Sequence, residues 1–253
     1  MKGIIIASFG TTHIDAFEKS IEKIKIELQE KYPDIYMIHS FSSEMVRNSL
    51  NKRKIHFFNL PEALNEMEEK GIRDITILSL YVICGIEFEK IVNQSKVFND
   101  KSRLNIRFSK PLLSSKEDIE KISSILVDTF NEKPTVLMGH GTTNPVDKVY
   151  FNLQDSLLRK NANIFVGTVE GTLDFKDVLK NLEHCNKKDV KLAPFLLVAG
   201  DHAKNDMGSE EEDSWANLLK NEGFNVEVEL KGLCEREEIR EIFYKKLEEV
   251  LWN

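Results

Sequence analysis

Three potential metal ligands stand in the second half of the chain, each after an apolar run typical of a buried strand. They are His140 after Val136–Met138, Glu170 after Ile164–Val169, and His202 after Val190–Val198. In a parallel α/β sheet, the loops at the carboxyl ends of the strands carry the ligand-binding residues. Two neutral imidazoles and a carboxylate with open coordination positions suit cobalt, nickel, zinc or iron. The sequence therefore predicts a metal site at one sheet edge and leaves the identity of the ion open.

The elements that would position these residues alternate between strand and helix patterns. Helical stripes at Asp15–Glu30 and Lys116–Phe130 place apolar residues on one face. Such alternation predicts an α/β fold with parallel sheets flanked by helices. The predicted strands are Gly3–Ser8, Tyr36–Phe41, Ile75–Ile83, Ile106–Phe108, Val136–Met138, Ile164–Val169, Val190–Val198 and Val226–Leu230.

The order of these signals repeats along the chain. Phe9-Gly10-Thr11-Thr12 leaves the first strand and His140-Gly141-Thr142-Thr143 leaves the fifth. Gly-Thr-Thr is also ordinary turn chemistry, but several matches in the same order favour duplication. We predict two similar α/β lobes, residues 1–130 and residues 131–253, the second carrying the metal ligands.

The two halves differ at the positions that correspond to the ligands. The repeat places Phe9 opposite His140 and Glu87 opposite His202, and it places Phe41 opposite Glu170 if Ile35 is matched to Ile164. Because the potential ligands occur in only one of the two copies, we expect a single metal site. The corresponding surface of the other copy is more apolar. A cleft between the lobes would suit a flat macrocycle.

Composition narrows the function classes. The chain has 253 residues, of which 41% are hydrophobic, and a net charge of −7. The sequence has no long run of basic residues, which argues against a nucleic-acid partner. It also has no apolar run long enough to span a membrane. Three widely spaced cysteines fit reduced thiols, so we expect a cytoplasmic protein. A homo-oligomer is compatible with the sequence.

Several motifs resemble those of the anaerobic-pathway sirohydrochlorin cobaltochelatases, which are relatives of the class II chelatases. The motifs are Ser8-Phe9-Gly10-Thr11, Met138-Gly139-His140-Gly141, Val169-Glu170, and the segment from Leu197 to Met207 that contains Gly200-Asp201-His202. The resemblance covers essentially the whole chain. It implies a two-lobed fold in which His140, Glu170 and His202 bind Co²⁺, the substrate ion to be inserted into sirohydrochlorin during cobalamin biosynthesis.

One stretch departs from the family pattern. Tyr81 stands where the family usually has a histidine, and Ile86 stands where it has the first of two acidic residues. Glu87 remains as the second acid. We expect Glu87 to face the cleft. The residues Tyr81 and Ile86 leave open what the N-terminal lobe contributes on its side of the cleft.

Metal insertion requires two pyrrole protons to leave the macrocycle. Candidate acceptors are His140 or His202 once the metal moves, together with Glu170 and Glu87. Substrate carboxylates would meet backbone N–H groups where helices begin after the two repeated turns. The predicted substrate-binding residues there are Ser8, Phe9, Gly10, Thr11, Gly141 and Thr142.

Two alternatives stay open at this point. One is a chelatase for iron or nickel, and the other is a tetrapyrrole-binding or metal-binding protein without catalytic activity. We expect no organic cofactor in any of these cases.

Overall fold

The computed structural model describes residues 2–99 and 104–252, whose strands form two four-stranded parallel sheets. Sheet 1 has the order β2-β1-β3-β4 and sheet 2 has the order β6-β5-β7-β8. The two orders are equivalent, so the repeat predicted from the sequence is confirmed in the topology. The strands are β1 (Lys2–Ser8), β2 (Tyr36–Phe41), β3 (Asp74–Leu80), β4 (Asn105–Phe108), β5 (Thr135–Gly139), β6 (Ile164–Thr168), β7 (Asp189–Pro194) and β8 (Asn225–Val228).

Helices connect the strands, as the alternating pattern predicts. Short 3₁₀ helices occupy Pro145–Asp147 and Leu233–Glu235, and π-helical turns occupy Glu18–Glu22 and Ala203–Met207. The α-helices are α1 (Ile14–Phe17), α2 (Lys23–Lys31), α3 (Glu44–Lys52), α4 (Leu60–Glu69), α5 (Ile86–Asn99), α6 (Lys116–Thr129), α7 (Lys148–Arg159), α8 (Phe175–Glu183), α9 (Trp215–Asn221) and α10 (Glu237–Leu251).

Two strands end three or four residues before the ends of the apolar runs that predicted them. The run through Ile83 ends as a strand at Leu80, and the run through Val198 ends as a strand at Pro194. After β7, the carbonyls of residues 196 and 197 accept hydrogen bonds from the N–H groups of Leu233 and Cys234. The chain therefore leaves the ladder although it stays apolar.

The chain divides into two compact units that differ from the predicted boundary at 130/131. Unit 1 comprises the described residues of Met1–Leu112 and Arg236–Asn253, and unit 2 comprises Leu113–Glu235. Helix α6, which was predicted to close the first lobe, belongs to unit 2, and α10 belongs to unit 1.

Specific contacts account for this exchange of the two helices. Ser123 of α6 lies 2.8 Å, oxygen to oxygen, from Ser156 of α7, and both side chains are fully buried. In α10, the buried Arg240 donates two 2.8 Å hydrogen bonds to the carboxylate of Glu27. Such contacts join residues of different helices, and the apolar stripe of a single helix carries no information about them.

Each unit has its own apolar core. In unit 1, Leu64 and Met67 of α4 pack on Ile5 of β1 and Ile75 of β3. The corresponding core of unit 2 packs residues of α8 and α9 against one face of sheet 2. Its fully or nearly fully buried members include Val136, Met138, Val178, Leu182, Val190, Leu192 and Leu219. Removal of this apolar surface from water stabilises each unit at roughly 25 cal/mol per Å².

Local capping fixes where several helices begin. The Asn59 side chain accepts from the N–H of Glu62, and the Glu62 carboxylate accepts from the N–H of Asn59. Asp174 and Asp177 form the same reciprocal arrangement at the start of α8. These contacts satisfy N–H groups that have no partner within the helix. Within the described part of the chain, no helix combines the length and apolarity needed to cross a membrane.

A buried histidine lies beneath the π-helical turn of unit 1. His39 of β2 is 8% exposed, and its Nε2 is 2.5 Å from Oε2 of Glu22. The rings of Phe17 and Phe57 lie 5.1 Å and 6.3 Å from its ring centroid. Burial lowers the pKa of His39 below its usual 6.5, although the adjacent Glu22 carboxylate acts in the opposite direction.

We expect His39 to make unit 1 less stable as the pH falls. The unfolded chain takes up the proton at about pH 6.5, whereas the folded chain resists it, so protonation favours unfolding below that pH. Urea denaturation at pH 7, 6 and 5 should show a falling free energy of unfolding for the wild type and a flatter profile for His39→Gln. His184→Gln, at an exposed position, is the control. Parallel profiles for wild type and His39→Gln would contradict the prediction.

Candidate metal centre

The three predicted ligands all lie beyond the carboxyl ends of strands in sheet 2. His140 directly follows β5, Glu170 comes two residues after β6, and His202 comes eight residues after β7. Strand β5 pairs with both β6 and β7. Beyond the strand ends, the N–H of Glu170 donates a 2.8 Å hydrogen bond to the carbonyl of His140. The central position of β5 therefore brings all three loops to one edge.

The side chains of these residues are close together and partly exposed. The ring centroids of His140 and His202 are 4.6 Å apart, and the ring planes are nearly perpendicular at 89°. Nδ1 of His140 is 3.7 Å from Oε2 of Glu170. The side chains of His140, Glu170 and His202 are 42%, 58% and 40% exposed, so solvent reaches all three.

Hydrogen bonds define which nitrogen of each histidine is available to an ion. Nδ1 of His140 is 3.1 Å from the carbonyl oxygen of Gly141, and Nδ1 of His202 is 2.5 Å from Oδ2 of Asp206. Both oxygens accept, so each Nδ1 is the protonated donor in the neutral ring. Nε2 then carries the lone pair that can bind a metal.

The arrangement is not a closed metal cage. Across residues 2–99 and 104–252, no three His, Cys, Asp or Glu side chains converge on a common ion position. Glu170 is directed toward Nδ1 of His140, the nitrogen on the opposite side of the ring from Nε2. Binding of one ion by all three side chains requires exposed side chains, above all Glu170, to rotate.

Glu87, the fourth predicted catalytic residue, belongs to unit 1. The hydroxyl of the buried Ser42 donates a 2.6 Å hydrogen bond to its carboxylate, and Nζ of Lys90 lies 3.8 Å away. Tyr81 is buried nearby in the same unit, and burial raises its pKa well above the usual 10. Its hydroxyl is protonated at neutral pH.

The first repeated turn presents mainly one of its predicted substrate-binding residues to solvent. Phe9 is 44% exposed, whereas Ser8 and Thr11 are buried. Gly10 has a φ of +94°, and an added Cβ would lie 2.5 Å from the ring of Phe41. The turn is thus packed closely against β2, with the Phe9 ring on its outer side.

The second repeated turn differs from the helix start expected at Gly141 and Thr142. Three residues of 3₁₀ helix follow it, and the first long helix, α7, begins only at Lys148. The N–H of Thr142 donates to the carboxylate of Asp147 at 3.0 Å. The N–H of Thr142, which was expected to bind a substrate carboxylate, therefore already donates to the buried side chain of Asp147.

Two functional candidates were missed from the sequence. Asp206 contacts His202, and the neighbouring Asp201 accepts from Asn205 at 3.3 Å. The four-residue spacing of His202 and Asp206 on a helical turn was the available signal. Asp147 gave no such signal because its partners come from separate loops.

The fold matches that of known chelatases. The structure of SirB from Bacillus subtilis with Fe³⁺ aligns with a TM-score of 0.68 at 15% sequence identity, covering 98% of this chain and 95% of that chain. The structure of the sirohydrochlorin chelatase SirB from Bacillus subtilis subspecies spizizenii in complex with cobalt aligns with a TM-score of 0.69 at 11% identity, covering 100% and 96%. Two parallel α/β units of this topology define a protein with a chelatase fold.

Sequence comparison identifies the family. A family model described as cobalt chelatase (CbiK) matches residues 2–252. A sirohydrochlorin cobaltochelatase of Salmonella typhimurium is 31% identical over 99% of this chain and 96% of its own length. The sirohydrochlorin cobaltochelatase CbiKC of Nitratidesulfovibrio vulgaris is 27% identical over 97% of this chain and 89% of its own length. The chain belongs to the cobalt chelatase (CbiK) family, which confirms the resemblance found in the sequence.

Proposed function

We propose that this chain is a sirohydrochlorin cobaltochelatase, which inserts Co²⁺ into sirohydrochlorin with release of two protons in anaerobic cobalamin biosynthesis. The observation that carries the proposal is the proximity of the imidazoles of His140 and His202, whose centroids are 4.6 Å apart, beside the Glu170 carboxylate. Membership of the cobalt chelatase family supports the choice of ion. The names of the two curated relatives support the choice of tetrapyrrole.

In this proposal, His140, Glu170 and His202 bind the substrate ion before transfer. Neutral imidazoles are required as ligands, and protonation competes with the ion. Rotation of Glu170 away from Nδ1 of His140 would add a negative ligand that offsets part of the charge of Co²⁺. An open three-residue site leaves coordination positions for the pyrrole nitrogens.

Proton release needs acceptors that become available as the ion moves. Once Co²⁺ shifts toward the macrocycle, Nε2 of His140 or His202 is a free base. Glu170 can assist at the same edge of sheet 2. We retain Glu87 as a further proposed acceptor, with its carboxylate held by Ser42 and close to Lys90.

The proposal extends to the setting in which the protein works. The three cysteines, Cys84, Cys185 and Cys234, form no disulfide within the described part of the chain, which fits a reducing cytoplasm. The chemistry assigned to the site uses side chains alone, so the proposal includes no organic cofactor. Its substrates are a metal ion and a tetrapyrrole, with no role for a membrane or nucleic acid.

Anaerobic insertion of Co²⁺ into sirohydrochlorin, followed by absorbance, tests the proposal. We expect insertion well above the rate of the uncatalysed reaction, and faster with Co²⁺ than with Fe²⁺ or Ni²⁺ at equal free concentration. Faster insertion of Fe²⁺ or Ni²⁺ would show that Co²⁺ is not the preferred substrate ion. Binding of Co²⁺ or sirohydrochlorin without faster insertion would show that the protein is a carrier and not an enzyme.

A further inference from the structure

A buried carboxylate joins the two loops that carry His140 and Glu170. Asp147 is 2% exposed, in the 3₁₀ turn that follows the His140 loop. Its Oδ1 accepts from the N–H of Thr142 at 3.0 Å. Its Oδ2 accepts from the N–H and the hydroxyl of Thr172 at 2.8 Å and 2.7 Å. One side chain therefore binds both loops, each within two residues of a predicted ligand.

This contact requires a carboxylate. Both oxygens of Asp147 face donors, and an ionised carboxyl group presents two acceptors. An amide of the same shape has one acceptor and one donor, so it would direct an NH₂ group at an N–H of one loop. An unpaired buried donor or acceptor is destabilising. A carboxylate at this position thus satisfies both loops at once.

Close backbone packing shows that the carboxylate lies in the contact between the loops. A Cβ added to Gly171, the residue after Glu170, would be 2.5 Å and 2.7 Å from the two oxygens of Asp147. A Cβ added to Gly141, the residue after His140, would be 2.4 Å from the backbone nitrogen of Gly171. Displacement of either loop therefore disturbs both contacts.

A second side chain of the same region supports the His140 loop from α7. Tyr150 is buried, and burial raises its pKa, while a hydrogen bond with the backbone of Gly141 acts in the opposite direction. An added Cβ at Gly139 would be 3.1 Å from the Tyr150 ring. The His140 loop is thus held from α7 by Tyr150 and joined to the Glu170 loop through Asp147.

We propose that Asp147 is a positioning residue for the metal centre, setting the distance between His140 and Glu170 through its hydrogen bonds to Thr142 and Thr172. The inference rests on the proposed function in that His140 and Glu170 are taken as ligands of Co²⁺. Asp147 itself contacts neither the ion nor the macrocycle. Metal sites with supported ligands lose affinity when the support is removed, typically 10–100-fold.

Two substitutions test the proposal by different routes. Asp147→Asn keeps the shape and removes one acceptor, and we expect Co²⁺ affinity to fall about 10–100-fold with changed visible d–d absorption. Thr172→Val removes one hydroxyl from an exposed residue and should lower the affinity about tenfold, since a hydrogen bond to a charged group is lost. Thr172→Ser retains the hydroxyl and should behave as the wild type. If Asp147→Asn fails to fold, the Thr172 pair decides.

Gln154 provides a control for a merely structural effect. It is buried in α7, donates to the carbonyl of Ile164 at 3.1 Å and accepts from the N–H of Val166 at 2.7 Å, at the start of β6 rather than at its end. Gln154→Leu should lower the melting temperature but leave the Co²⁺ affinity and spectrum unchanged. Unchanged Co²⁺ affinity and spectrum in folded Asp147→Asn and in Thr172→Val would overturn the proposal.

The readout separates this proposal from the proposed function. Co²⁺ titration and the d–d spectrum need no sirohydrochlorin, so they report on Asp147 even if the wild type inserts no metal. If the wild type and all variants insert no metal, but Co²⁺ still binds and its affinity depends on Asp147, the chelatase function is rejected. The positioning role of Asp147 is then supported.

Discussion

His140→Ala and His202→Ala are each expected to abolish measurable Co²⁺ insertion. Each variant removes one of two imidazoles whose centroids are 4.6 Å apart and leaves one imidazole with Glu170. Loss of a supporting partner alone typically costs 10–100-fold in metal affinity, so loss of a ligand should cost more than about 100-fold. Isothermal titration with Co²⁺ and the anaerobic insertion assay measure the two consequences separately.

Both variants should remain folded, because the two side chains are 42% and 40% exposed. His184→Ala is a matched control in the same unit, since His184 is an exposed histidine at the end of α8 whose Nδ1 is 2.7 Å from the carbonyl of Lys180. We expect the control to bind and insert Co²⁺ as the wild type does. Wild-type insertion by either His140→Ala or His202→Ala would remove that residue from the proposed centre.

The architecture could be predicted because it is encoded by local patterns. Eight apolar runs alternate with amphipathic segments, and the turn after β1 resembles the turn after β5. Period and order are enough to indicate parallel sheets and their repetition. The equivalent strand orders of the two sheets confirm that interpretation.

The division into units could not be predicted in the same way. The stripe of α6 shows that one face is buried but not which sheet it covers. The contacts that decide it, such as Ser123 with Ser156 and Glu27 with Arg240, join residues from separate elements. Sequence proximity favoured the boundary at 130/131, whereas side-chain packing places α6 in unit 2 and α10 in unit 1.

The candidate centre shows the same limit at a smaller scale. His140, Glu170 and His202 could be found because each follows a strand, and parallel strands bring such positions to one edge. Their supporting carboxylates could not be found with equal ease. Asp147 acts across a distance of 25 residues to Thr172, and no periodic pattern relates those two positions.

Gly141→Ala is expected to disrupt the centre without altering any proposed ligand. Gly141 has a φ of +79°, a conformation that costs an L-residue about 1–2 kcal/mol. The added Cβ would also lie 2.4 Å from the nitrogen and 2.7 Å from the Cα of Gly171. These atoms are backbone, so the His140 loop or the Glu170 loop must move.

Gly223→Ala separates the effect of backbone conformation from that of the collision. Gly223 lies in unit 2 with a φ of +81°, and the nearest atom to an added Cβ is the flexible Nζ of Lys188 at 3.8 Å. We expect Gly223→Ala to lose about 1–2 kcal/mol of stability from conformation alone and to insert Co²⁺ normally. Gly141→Ala should lose more stability than this control.

The insertion rate should show the larger difference between the two glycine variants. The carbonyl of His140 accepts from the N–H of Glu170 at 2.8 Å, so separation of the loops displaces two proposed ligands together. A misplacement of about 1 Å can lower a rate about 100-fold, and we expect a loss of that order for Gly141→Ala. Equal insertion by the two variants would show that the spacing of these loops does not control the reaction. A selective loss in Gly141→Ala would support dependence on the contact between Gly141 and Gly171.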